Sequence, residues 1–200
     1  NVPLYDPPTL LKVGMPAAFE AGKVDERFKP NGIWLFRGFD KSTGKPGIFL
    51  TQIAFVSTRD TTGQRVKEIY VMDWDGSNQR RITSHKTLSL GPSWSPDGNR
   101  IVYTSFGRGS TDMYVVSREG GVRQKIDTGV SLNSSPTWSP DGSKIAFVGS
   151  TKGNTDIWVI DWERAGVPTR LTLDPADDVN PVWSPAGDRI AFTTFRKGNA

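Results

Sequence analysis

The chain has no cysteine and a single histidine in 200 residues. Without cysteine there is no disulfide, no thiolate metal site and no Cys nucleophile, although the compartment stays open. The lone histidine, His85, sits in a polar stretch and reads as a surface residue. No Ser-His-Asp set has a local signature around it, and the Gly-x-Ser-x-Gly frame is absent. Gly44-Lys45 is followed by Pro46, where a phosphate loop needs Ser or Thr, so that reading is rejected. No apolar run approaches the ~18 residues that cross a bilayer. The longest, Ile33–Phe36 and Ile53–Val56, read as pieces of strand, so no transmembrane segment is expected. The net charge is +4 and the pI about 9.4, yet no block of Lys and Arg resembles a nucleic-acid-binding arm. No nucleic-acid partner and no cofactor are expected. The first residue is Asn1 rather than Met, which fits a removed signal peptide, the edge of a longer chain or residues left out of the numbering; of these, export is preferred.

What the chain does have is repetition. PSWSPDGNRIVYTSF from Pro92 returns as PTWSPDGSKIAFVGS from Pro136 and as PVWSPAGDRIAFTTF from Pro181. The tryptophans Trp94, Trp138 and Trp183 stand 44 and 45 residues apart. A strand-like run follows each, at Ile101–Thr104, Ile145–Val148 and Ile190–Thr193, with an earlier copy at Ile53–Val56. A second run comes at Glu68–Met72, Asp112–Val116 and Asp156–Ile160. A shorter third comes at Arg80–Thr83, Arg123–Ile126 and Thr169–Thr172. Together with the Pro-x-Trp segment, this predicts four short antiparallel strands every ~40–45 residues, the arithmetic of a propeller blade. The expected fold is all-β: about three and a half four-stranded blades over 48–200, preceded by an irregular Pro/Gly-rich arm over 1–47. A short helix is expected between Pro16 and Phe28.

Ser95-Pro96-Asp97-Gly98 and Ser139-Pro140-Asp141-Gly142 fit type I turns, with Asp97 and Asp141 bracing the backbone. Ser184-Pro185-Ala186-Gly187 keeps the frame without the Asp. Each Trp is expected to end an innermost strand and pack between blades, with Pro92, Pro136 and Pro181 at strand starts. The motif is therefore a packing and turn device rather than a catalytic one. Specificity falls to two sets of connections that differ between repeats. One leads into each Pro-x-Trp strand: Ser84–Gly91, Thr128–Ser135 and Leu173–Asn180. The other joins the second and third strands: Arg59–Lys67, Gly107–Thr111 and Ser150–Thr155. Asp174, Asp177 and Asp178 form either a Ca²⁺ loop or a solvated turn, and the solvated turn is preferred. Asn133-Ser134-Ser135 matches a glycosylation sequon by pattern only.

These repeats closely resemble the WD40-like repeats of the TolB family, periplasmic propellers of the Tol–Pal envelope system. Beyond WSPDG, the likeness runs through Thr43–Phe49, Thr51–Val56 and Tyr70-Val71-Met72-Asp73-Trp74-Asp75-Gly76-Ser77-Asn78. It covers about residues 43–200. The resemblance implies a periplasmic, non-catalytic scaffold that binds the peptidoglycan-associated lipoprotein through loops at one face. By position those are Leu132, Asn133, Ser134 and Ser135, and Asp177, Asp178, Val179 and Asn180. Leu132 stands about where the family often carries a histidine. The family also has six blades and an α/β domain before them, so the chain is expected to be part of a longer protein. Two alternatives stay open. One is an accessory subunit of a larger membrane complex, with the N-terminal arm threaded along its partner. The other is the gating propeller of a prolyl-oligopeptidase-like peptidase whose catalytic domain lies elsewhere.

Overall fold

The computed structural model describes residues 36–39, 46–49, 52–59, 66–73, 76–107, 109–150, 153–164 and 166–196. The helix expected between Pro16 and Phe28 lies outside them. Every element among the described residues is a strand, and every sheet is antiparallel. Strands β1 (Phe36–Phe39) and β2 (Pro46–Phe49) form a hairpin, and the domain boundary expected at 47 falls inside β2. A three-stranded sheet follows, β3 (Gln52–Ser57), β4 (Glu68–Asp73) and β5 (Arg80–Arg81).

Two complete four-stranded blades come next. One is β6 (Leu88–Trp94), β7 (Arg100–Gly107), β8 (Ser110–Ser117) and β9 (Gln124–Ile126). The other is β10 (Leu132–Trp138), β11 (Lys144–Ser150), β12 (Thr155–Asp161) and β13 (Thr169–Arg170). The last pair is β14 (Asp178–Trp183) and β15 (Ile190–Thr194). Strand order follows sequence order within each sheet, so the Pro-x-Trp strands β6, β10 and β14 each open their sheet.

Alternation along the strands decides what is buried where. Ala54, Ile69, Val71 and Ile82 of the β3–β5 sheet meet Trp94, Ile101, Tyr103 and Val116 of the next blade. The other face of that blade, Val102, Met113, Val115 and Ile126, meets Trp138, Ile145, Phe147 and Ile160. These two blade-to-blade layers each take a tryptophan from the following blade, and a third cluster, Ile53, Phe55, Tyr70 and Met72, lies on the other face of the β3–β5 sheet.

One expectation changes. The prolines do not start their strands but sit in mid-strand. The ladder shifts register between Leu90 and Ser93, Ser134 and Thr137, and Val179 and Val182. Gly91, Ser135 and Asn180, each just before a proline, take φ of 60°, 50° and 54°. A bulge leaves residues out of the ladder, so a proline without N–H is tolerated inside the strand.

The turns stack as well as brace. A Cβ on Gly142 would lie 3.6 Å from Pro96 Cδ, and one on Gly187 the same distance from Pro140 Cδ. The proline of each turn therefore lies against the glycine of the next.

Candidate partner-binding face

The register puts both variable sets of connections at one end. Leu88 pairs with Phe106, and Phe106 with Thr111, so the start of β6, the end of β7 and the start of β8 are neighbours. Leu132, Ser150 and Thr155 repeat this in the next blade. The WSPDG turns lie at the opposite end, where Trp94 pairs with Ile101 and Trp138 with Ile145.

Residues expected in loops at this end turn out to be strand. Leu132, Asn133, Ser134 and Ser135 belong to β10, and Asp178, Val179 and Asn180 to β14; only Asp177 is in a connection. Hydroxyl and amide side chains hide a strand from hydrophobic alternation when neither of its faces is fully apolar.

The side chains divide into fasteners and free surface. Asn133 is 4% exposed. Its Oδ1 accepts from Thr128 Oγ1 at 2.6 Å, and its Nδ2 donates to Val130 O at 2.8 Å and Thr111 O at 3.2 Å. Its backbone N–H donates to Thr111 Oγ1 at 3.0 Å. It ties the start of β10 to the preceding blade, and its committed amide leaves the sequon without an acceptor. Thr155 stands in register where Thr111 does, and fastens the next start by a different route. Its N–H and Oγ1 donate to Asp177 Oδ1 at 2.7 and 2.8 Å. Those bonds, the backbone one first, hold the Asp177 carboxyl below its ordinary range. Asp178 is fully buried, and its Oδ2 accepts from Arg196 Nη2 at 3.1 Å. The same guanidinium reaches Asp174 Oδ2 at 3.4 Å, while Ala176 N–H donates to Asp174 Oδ1 at 2.9 Å. Asp174 and Asp178 thus share Arg196, while Asp177 is engaged by Thr155. Among the described residues no three His, Asp or Glu side chains converge on a metal-sized site.

Leu132, Ser134, Ser135 and Val179 are half-buried, and Asp177 and Asn180 are exposed. The same end shows exposed large apolar groups: Phe106 and Phe195, outside the sequence-based connections, and Leu173, the first residue of one of them, from 38% to 75% exposed. A signal for two of them was present. PSWSPDGNRIVYTSF and PVWSPAGDRIAFTTF both end in Phe, where PTWSPDGSKIAFVGS ends in Ser150. An aromatic at the last position of such a run stands beyond the blade core.

His85 is not the open surface residue expected of a polar loop. It is half-buried, and its Nε2 is enclosed without a hydrogen-bond partner. Burial first, then the charge of Arg123, lower its pKa against the opposing pull of Glu68.

Four-stranded antiparallel blades stacked face to face, with their variable residues gathered at one end, define a segment of a β-propeller. The sequence profile of the PD40 TolB beta propeller domain matches residues 39–200, and the chain belongs to that family. The Tol-Pal system protein TolB of Desulfosudis oleivorans is 45% identical over 73 residues, which are 36% of this chain and 16% of that protein. The crystal structure of TolB from Acinetobacter baumannii superposes with a TM-score of 0.63 at 29% identity, over 78% of this chain and 39% of that one. That of a putative TolB from Agrobacterium tumefaciens gives 0.65 at 25% identity, over 76% of this chain and 59% of that one. In each case the likeness spans less than two thirds of the relative's length.

Proposed function

We propose that this chain is a non-catalytic, periplasmic scaffold of the Tol–Pal type, with residues 48–200 as the propeller and 1–47 as an arm. Its protein partner, of the peptidoglycan-associated lipoprotein kind, sits on the end where β6, β10 and β14 begin. The observation that carries this reading is the mixture on that end. Exposed Phe106, Leu173 and Phe195 share that end with the exposed carboxylate of Asp177 and the amide of Asn180. Apolar anchors beside a few fixed polar groups are what a protein interface uses. Asn133 and Asp178 act beneath it as positioning residues.

The test is titration calorimetry with the soluble domain of a peptidoglycan-associated lipoprotein from the same organism. Binding by the parent chain, weakened about tenfold or more by Phe195→Ser or Asp177→Arg, is the expected result. No binding by the parent, or full binding by both variants, overturns the assignment of partner or face respectively. Capture of integral membrane subunits instead would make the chain an accessory subunit of a membrane complex.

A further inference from the structure

At the opposite end, between the β6–β9 blade and the β10–β13 blade, lies a cleft of about 320 Å³. Its walls include Asn99, Arg100, Val115, Val122, Gln124 and Trp162. The geometry points to a second binding site here, for a short peptide segment that presents a carboxylate beside an aromatic or large apolar side chain.

The preceding blade junction differs at the same place, where an ion pair bridges the two blades. Arg80, paired with Val71, sends its Nη2 to Glu119 Oε2 at 3.1 Å. The β8–β9 turn settles onto that junction, so that a Cβ on Gly120 would lie 3.0 Å from Ile82 O. One blade later, Gln124 holds the position of Arg80, paired with Val115. Glu163 holds the position of Glu119, the second residue after its strand. A neutral amide cannot form that ion pair, and Trp162 becomes a wall of an open cleft.

The lining selects the occupant. Trp162 is fixed from behind by Trp138, with ring centroids 5.4 Å apart and planes at 75°. It is therefore a rigid aromatic wall at little entropic cost. Val122, 97% exposed, forms an apolar rim. The Arg100 guanidinium lies 5.9 Å from the Trp162 ring centroid and forms no ion pair among the described residues. The nearby Asp97 carboxylate is hydrogen-bonded within its own turn by Ser95 and Asn99, and the Arg100 charge is the smallest of the influences on its pKa. An unpaired cation beside a rigid aromatic face takes a carboxylate and a ring together, and adjacent residues of a peptide supply both. A partner here would leave the other end free, so one chain could hold two partners at once.

The probe is acetyl-Glu-Phe-amide, followed by NMR at the Trp162 indole N–H of the full chain. A saturable shift is expected, about threefold weaker with acetyl-Gln-Phe-amide or in Arg100→Gln. Gln124→Arg restores the cation opposite Glu163 and is expected to abolish the shift. Asp177→Ala is expected to leave it unchanged, which separates this site from the proposed partner face. No saturable shift in the parent chain, or equal affinity in Arg100→Gln and Gln124→Arg, overturns the site. Phenylacetate binding as tightly as the dipeptide overturns the assignment to a peptide. Both test substitutions lie outside the buried core, so loss of binding can be read with the fold intact.

Discussion

Each WSPDG-type turn closes on its serine. Ser139 O accepts from Gly142 N–H at 2.9 Å, and Ser139 Oγ accepts from Lys144 N–H at 2.9 Å. Ser139 Oγ donates to Asp141 Oδ1 at 2.6 Å, and Asp141 also accepts from Ser143 N–H at 3.1 Å and Ser143 Oγ at 2.8 Å. The third copy has Ala186 in place of this aspartate, and its brace comes from further along. Ser184 Oγ donates to Asp188 Oδ1 at 2.7 Å. Asp188→Ala should therefore destabilise the third turn as Asp141→Ala destabilises the second, by about 1 kcal/mol each. Ala186→Asp should gain little, because Ser184 already has its carboxylate. Chemical denaturation of the three variants checks this.

The bonds to Asp141, with the Ser139 hydroxyl foremost, lower its pKa from 3.8 to about 2. The folded value lies below the unfolded one, so the stabilisation is present above pH 3.8 and disappears as pH falls towards 2. The Tm difference between parent and Asp141→Ala should thus be constant near neutrality and shrink between those two values. A difference that persists at the lower pH would contradict this origin. The bulge is a second test at this scale. A Cβ on Gly91 would meet nothing within 4 Å, so Gly91→Ala isolates the conformational cost of positive φ, about 1–2 kcal/mol. Ser135 already bears that strain, and Ser135→Gly should be neutral or stabilising by up to about 1 kcal/mol.

At the scale of elements, the tryptophans differ by what covers them. Trp138 is 4% exposed and lies between blades, in one cluster with Val102 and Val115 of the preceding blade and Ile145 and Phe147 of its own. Trp183 is half-buried. Trp138→Ala should cost about 3–5 kcal/mol, and Trp183→Ala clearly less. Equal losses in urea melts would mean that burial between blades is not the source. The strands most plainly legible in the sequence are those whose apolar runs recur with the repeat: β3, β4, β7, β8, β11, β12 and β15. The first half of β10 was not, because Asn133, Ser134 and Ser135 satisfy hydrogen bonds and a bulge instead of filling a core. For the same reason the candidate site was found by position but misread in kind. Asn133 and Asp178 belong to the chosen segments yet are buried fasteners, while Phe106 and Phe195 stood outside them and Leu173 was only the edge of one. The open cleft was invisible for a different reason. It follows from Gln124 replacing Arg80 at one register position, which matters only once two blades are packed.

At the scale of the whole molecule, stability in stacked repeats is set by how many neighbours each blade has. The β6–β9 blade is packed on both faces, by Ala54, Ile69, Val71 and Ile82 on one side and by Trp138, Ile145, Phe147 and Ile160 on the other. Among the described residues the β14–β15 pair is packed on one face, and Val182 on its other face is 60% exposed. Opening β14–β15 thus exposes one interface, whereas opening β7 or β8 exposes two. Native-state hydrogen exchange should follow that count. The amides of Val102, Tyr103 and Val115 should exchange only through global unfolding, while those of Ala191 and Thr193 exchange through a local opening of lower free energy. The two groups should also differ in denaturant dependence, steep for the first and shallow for the second, because the surface exposed differs in the same sense. Equal protection in both would require a cover over the outer face of β14–β15. The stabilising contacts would then be shared evenly along the stack rather than concentrated in its two complete blades.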